Sequence, residues 1–379
     1  MLSFMMFLTK SHKYFERSIM AKSNSKKITA IVAALAVAGI AGFIISQNGA
    51  SSSQTAEQTS NTGSASATAS GNDTKNKIVI AFQTGVDPTK VAQANGEYEQ
   101  ASGQAIEWRK FDSGSEVIAA IASGDVPIGN IGSSPVAAAS SQGVPLQAFY
   151  VASVLGQSEA LVVNDKISKP EDLVGKKIAV PYVSTTHYSF LSALKHWNID
   201  SSKVEITNLR PPEITAAWQR GDIDGAYVWE PALSQLKTNG KVLVSSEEVG
   251  KWGSATYDVW VVRKDFAEKN PDFLKAFVKV SDAQIIKYNQ DPQAYSQNPD
   301  NVTKIANLTG SKPEDVALLL AGNNYLGLSE QAKTLEGQFS QDIKNTATFL
   351  KSQGKVDSVK DSYADNVNVT FVKALVEGQ

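Results

Sequence analysis

The chain contains no cysteine in 379 residues. That one absence excludes disulfides, thiolate zinc sites, cysteine nucleophiles and a lipid-carrying cysteine behind an export signal. Histidine is almost as scarce: only His187 and His196 lie beyond the N-terminal region, and His196 falls inside an amphipathic helical stretch. No cluster has metal-ligand spacing. Gly175-Lys176-Lys177 has Pro170 where a phosphate-binding loop needs its first glycine, and no Gly-x-Ser-x-Gly elbow occurs. No enzyme, cofactor or metal is expected from these residues. An excess of one charge is also missing: the formal net charge is -2 with both signs interspersed, which points away from nucleic acid and toward a small ligand.

What is present fits a two-lobed α/β protein. A chain of 379 residues, 42% hydrophobic and 20% charged, is long enough for two lobes with their own cores. Residues 1–27 end in Lys22, Lys26 and Lys27 and read as a cytoplasmic n-region. Residues 28–45 are apolar except for Thr29 and read as a signal peptide or a retained membrane anchor, with the lysines marking the cytoplasmic side. Both fates stay open. Residues 46–75 lack Val, Leu, Ile and aromatics, so they cannot bury enough surface to offset chain entropy. They read as a disordered tether with a reach of roughly 30 Å, enough to hold a folded body at the outer face of a membrane.

The folded part alternates strand and helix signals, which predicts doubly wound sheets. Two stretches share one grammar. Ala119 to Pro135 runs from helix through Gly124-Asp125 to a strand and a polar loop, and Trp218 to Pro231 does the same through Gly221-Asp222. Two copies predict two lobes. Residues 76–158 are expected to form the first part of lobe 1, 159–258 lobe 2 with a crossing strand at each border, and 259–379 a mostly helical return to lobe 1.

In such sheets ligands bind at the carboxyl ends of strands, where helices present free N–H groups. Four loops fall at such ends: Gln83-Thr84, Ser133-Ser134, Ser184 to His187 before a helix expected at Tyr188, and Tyr227 to Trp229. Hydroxyls at helix starts suit an anion. Glu159 and Asp258 stand at the predicted crossing strands, on the floor of an interlobe cleft, where they would pair with a cation. Taken singly, each loop also fits a plain helix cap, each acid a structural ion pair, and Trp229 a core residue; the pairing across two lobes points to binding of a small zwitterion. Asp222 and Asp224, at the wrong end of their strand, read as structural.

Glu107 to Gly114, Ile131-Gly-Ser-Ser-Pro135, Ser184 to Ser189, Ala216 to Trp229 and Asp258 to Phe266 carry a likeness to a known group. Over Ile78 to about Val372 the chain resembles the taurine-binding proteins of bacterial ABC importers, within the sulfonate and nitrate solute-binding group. The resemblance implies a type II periplasmic-binding-protein fold that closes over taurine and delivers it to a permease with a separate ATPase. It further implies a sulfonate held by Gln83, Ser133, Ser134, Thr185 and Thr186, and an amino group held by Glu159 and Asp258. His187 and Trp229 complete the expected set. Receptors for other alkanesulfonates or nitrate, and more remotely an enzyme on the same fold, are the alternatives. The leader and the cysteine-free tether depart from the pattern, so periplasmic residence and anchorage at the cytoplasmic membrane's outer face both remain open.

Overall fold

The computed structural model describes residues 77–378. The expected n-region, signal or anchor and tether lie outside the described residues. Among the described residues no helix is long and apolar enough to cross a membrane.

Ten strands form two sheets. β1 (Ile78–Phe82), β2 (Ile106–Lys110), β3 (Ile128–Gly132) and β4 (Leu146–Val154) open the first, and β5 (Ala160–Val163), β6 (Lys177–Val180), β7 (Glu205–Asn208), β8 (Gly225–Val228) and β9 (Lys241–Ser245) make the second, before β10 (Tyr257–Arg263) returns to the first. The orders are β2-β1-β3-β10-β4 and β7-β6-β8-β5-β9. Each sheet is parallel in its first three strands and carries one reversed strand in fourth place, β10 in one and β5 in the other.

Helices α1 (Thr89–Asn95), α2 (Glu97–Ser102), α3 (Gly114–Ser123) and α4 (Ser133–Ser141) flank the first sheet; α5 (Thr185–His196), α6 (Pro211–Arg220), α7 (Ala232–Lys237) and α8 (Ser246–Lys251) accompany the second. The remainder, from Lys264 to Val376, is helical and packs back on the first lobe. The two Gly-Asp units sit where their shared grammar predicts. Gly124 and Gly221 end α3 and α6 in the left-handed region, at φ 91 and φ 74, a conformation cheap only for glycine. The strands that follow, β3 and β8, take the third position of their respective sheets.

The continuous apolar runs follow from burial on both faces. In β5, Leu161 and Val163 join one core while Ala160 and Val162 join the other, as the two-residue strand period requires. Trp260 of β10, 1% exposed, packs edge-on against Trp108 and Phe277 in the first lobe.

The chain passes to the second sheet between Val154 and Ala160 and returns between Ser245 and Tyr257. The two passages are bonded to each other, Leu155 N–H donating to the Thr256 carbonyl at 2.9 Å. β9 is absent from the sequence reading. It is a short edge strand exposed along its first half, and its apolar run, Val242 to Val244, is only three residues long.

Candidate ligand-binding site

A cavity of ≈ 40 Å³ lies where the two sheets face each other. That is room for roughly three waters, about 90 Å³ of liquid volume, which suits a ligand of a few non-hydrogen atoms. Gln83, Gly85 and Asp258 line it from the first lobe; Glu159, Thr185 and Trp229 line it from the second. The lobes touch around it. The Thr84 hydroxyl donates to the Glu230 carbonyl at 2.7 Å, and Arg210 lies 3.8 Å from Asp112 and 3.6 Å from Glu116. Gly132 permits this approach, since a Cβ there would sit 2.6 Å from Thr185 Cγ2.

Three helix starts reach the cavity: α3 through Gly114, α4 through Gly132 and α5 through Ser184 and Thr185. The first N–H groups of a helix lack intrahelical acceptors and carry partial positive charge. Three such ends around one small space have the donors and partial charge that suit an anion.

The expected hydroxyl-rich loops are in fact first turns. α5 begins at Thr185, three residues before the predicted Tyr188, because Ser184 Oγ accepts the His187 N–H at 3.1 Å and caps it. Successive helix residues point about 100° apart, so Thr185, Thr186 and His187 cannot share one direction. Thr185 lines the cavity. Thr186 shares a hydrogen bond of 2.8 Å with Ser184. His187 stacks on Tyr182 with ring centroids 4.8 Å apart, and its Nδ1 accepts the Val183 N–H; burial, with Lys355 nearby, lowers its pKa to about 4, so the ring is neutral at physiological pH. Ser133 and Ser134 are likewise the first residues of α4. Ser133 Oγ accepts the Tyr257 N–H at 3.2 Å, and Ser134 Oγ is buried without a partner among the described residues. Gln83 lines the cavity and donates its amide to the Asn130 carbonyl.

The acids lie among these helix starts, Asp258 as the register partner of Gly132 and Glu159 bonded to the first residue of α5. Glu159 accepts from the Thr185 hydroxyl at 2.5 Å on one oxygen and from the Ser246 hydroxyl at 3.1 Å on the other. Asp258 faces the cavity, and no side-chain or backbone donor among the described residues reaches its carboxylate. Burial, then the charge of Asp258, pushes the Glu159 pKa up to about 8. Burial also lifts Asp258 to about 6, against the pull of Lys90. Both carboxyls are thus costly to ionise in an empty site and would be relieved by a cation. Asp224 by contrast accepts from Asn164 and the Lys177 N–H at the far end of its strand, and the exposed Asp222 pairs with Arg220.

Three polar cavity residues escape the sequence reading. Glu230 is 2% exposed, and its carboxylate is taken up by the Ser234 hydroxyl and N–H; its position after Trp229, at the end of the second Gly-Asp unit, was the available signal. Ser158 donates to Asn323, which also accepts the Gly156 N–H. Asn323 comes from the helical return, and nothing local marks it. Among the described residues no group of acids and histidines could hold a metal ion.

Residues 76–306 match the family model of the substrate binding domain of the ABC-type glycine betaine transport system. The taurine-binding periplasmic protein of Escherichia coli (strain K12) is 55% identical over 297 residues, 78% of this chain and 92% of that protein. Among solved structures, the alkanesulfonate-binding protein of Xanthomonas axonopodis pv. citri bound to MOPS superposes with a TM-score of 0.62 at 19% identity, over 74% of this chain and 94% of that one. The periplasmic aliphatic sulphonate binding protein of Escherichia coli gives a TM-score of 0.62 at 20% identity, over 78% of this chain and 92% of that one. The shared architecture is the two-lobed type II periplasmic-binding-protein fold.

Proposed function

The chain belongs to the substrate-binding proteins of ABC-type transport systems, and from that premise we propose that it captures taurine, 2-aminoethanesulfonate, between two closing lobes. Delivery is to a membrane permease driven by a separate ATPase. The carrying observation is the mixed lining of the cavity: three helix starts together with an acid, Asp258, whose carboxylate no donor among the described residues reaches. A sulfonate fits the helix starts and a primary ammonium the acid.

The same lining argues against a quaternary ammonium such as that of glycine betaine. That group has no N–H to give a carboxylate and is held by several aromatic faces, whereas Trp229 is the one aromatic residue lining this cavity among the described residues. A relative 55% identical and named for taurine supports the same ligand.

Lobe 1 is assigned to residues 76–158 and 259–379 and lobe 2 to 159–258, save that Tyr257 and Asp258 at the last border already stand in β10 of the first sheet, with closure swinging one lobe against the other about the two passages. Export follows from the apolar run at 28–45 and is supported by the periplasmic location in that relative's name. Whether the run is cleaved or kept as an anchor would be read by the mass of the mature protein.

Titration calorimetry with taurine, ethanesulfonate and glycine betaine tests the ligand. Taurine should bind at least about tenfold more tightly than either, since each analogue lacks at least one charge-assisted hydrogen bond of about 1.5–3 kcal/mol. Glycine betaine binding as well as taurine would refute the ammonium seat. Ethanesulfonate matching taurine would make this a receptor for sulfonates in general.

A further inference from the structure

Ser246 opens α8, on the returning passage between the lobes. It is 1% exposed and does not line the cavity. It nevertheless grips Glu159 twice: its N–H donates to the Glu159 carbonyl at 3.0 Å, and its hydroxyl donates to the carboxylate at 3.1 Å. The same hydroxyl lies 3.1 Å from the Tyr227 hydroxyl and 3.3 Å from that of Ser189. A hydroxyl has one proton to give. With that proton on the carboxylate, Ser246 is left to accept from Tyr227, whose own proton burial holds in place. The result is a chain from Tyr227 through Ser246 to Glu159, each bond polarising the next.

We propose that Ser246 is a positioning residue, which from outside the cavity fixes the charge and the direction of the Glu159 carboxylate toward the ammonium of the ligand. The proposal rests on the reading of Glu159 as part of the ammonium seat. Thr185 holds the other carboxylate oxygen but lines the cavity, so its loss would mix two effects. Ser246 meets the cavity only through Glu159, since its other partners, Tyr227 and Ser189, do not line it.

The groups that bear on Glu159 are few. Asp258 faces it across the cavity from β10, with the buried Asp87–Lys90 ion pair behind. Tyr227 approaches from β8. Glu248, on α8 itself, is occupied by the N–H and hydroxyl of Ser245, and Glu230 of the same cavity is occupied by Ser234. Thr185 and Ser189, on α5, do not titrate. A hydroxyl that donates to the ionised carboxylate favours that form, so its removal should make Glu159 ionise at higher pH.

Two readouts on the full chain test this. Carboxyl carbon NMR of the ligand-free protein gives the Glu159 midpoint directly: Ser246→Ala should raise it by about one pH unit, Tyr227→Phe by less, and Ser246→Thr should leave it in place. Calorimetry with taurine over about pH 6 to 9 should show Ser246→Ala weakening binding about tenfold at pH 7, with the two curves converging as pH rises. Ethanesulfonate should be unaffected. An unmoved midpoint in Ser246→Ala, or a loss equal at every pH and for both ligands, overturns the proposal and leaves Ser246 merely structural. Should Ser246→Ala fail to fold, the Tyr227→Phe midpoint decides. Because the NMR arm needs no ligand, failure of the taurine reading and failure of this one are told apart.

Discussion

Replacing Asp258 by asparagine keeps the size of the side chain and removes its charge. No protein donor among the described residues serves the Asp258 carboxylate, so nothing within the protein is left unpaired by the change. What disappears is the ammonium's charge-assisted bond, worth about 1.5–3 kcal/mol, a factor of roughly 10 to 150 in affinity. The surroundings favour the lower half of that range. The Asp258 charge is, after burial, the second cause of the raised Glu159 pKa of about 8; without it Glu159 ionises more easily and offers the ammonium a fuller negative charge. Asp258→Asn should therefore weaken taurine by about 10- to 30-fold at pH 7 in calorimetry, and ethanesulfonate by no more than about twofold. The pH dependence carries a second check. With folded pKa values of about 6 and about 8, both acids must lose protons to serve a cation, so taurine affinity should rise between about pH 5 and 8 in the native protein, with net proton release. In Asp258→Asn that rise should shift to lower pH. Equal losses for both ligands, or a pH curve that does not move, would refute the reasoning.

The remaining predictions concern the cost of the site and its closure. For the empty protein, a carboxyl whose folded pKa lies above its unfolded value contributes stability that is fully present below about 4.5 and lost as pH rises through about 8. Glu159→Gln should accordingly raise the melting temperature by a few degrees near pH 8 and hardly at all near pH 4.5, while costing most of the taurine affinity; a variant no more stable at pH 8 would show that burial of Glu159 is not opposed. Gly132→Ala places a methyl 2.6 Å from Thr185 Cγ2 at an ordinary extended φ of -71, so it should hold the lobes apart and weaken taurine by more than about tenfold with little change in melting. Adding Thr185→Ser removes that Cγ2 and keeps the hydroxyl, and should restore most of the binding; a double variant as weak as the single one would place the damage elsewhere.

Much of this arrangement could be read from the chain. Gly124 and Gly221, each before Asp and a short apolar strand, announced two matching lobes, because a left-handed helix end followed by a buried strand has few other spellings. The acids at the starts of β5 and β10 were legible for the same reason. The hydroxyl-rich segments were legible as places but not as geometry: a helix cap at Ser184 turns three neighbouring side chains to three directions, and composition cannot tell which one faces the cleft. β9 and Ser246 were illegible because the strand is short and half exposed, and because the partner of Ser246 lies 87 residues away. Asn323 was hidden likewise, reaching the cavity from a helical region whose pattern reports only its packing.

The reversed strands in fourth place explain how one cleft comes to hold both signs of charge. In a parallel sheet every strand delivers its last residues to the cleft, and the helix that follows adds a positive end, so three consecutive strands bias the space toward anions. β5 and β10 run the other way and deliver their first residues there instead, with no helix start attached. Glu159 and Asp258 occupy those two places. On the proposed reading, the anion end of a ligand is met by the repeated units of each lobe, and the cation end by the two points where the chain changes lobe. Substitutions at those two points would retune the receptor toward ligands with a different positive group, or none, while leaving the anion seat intact.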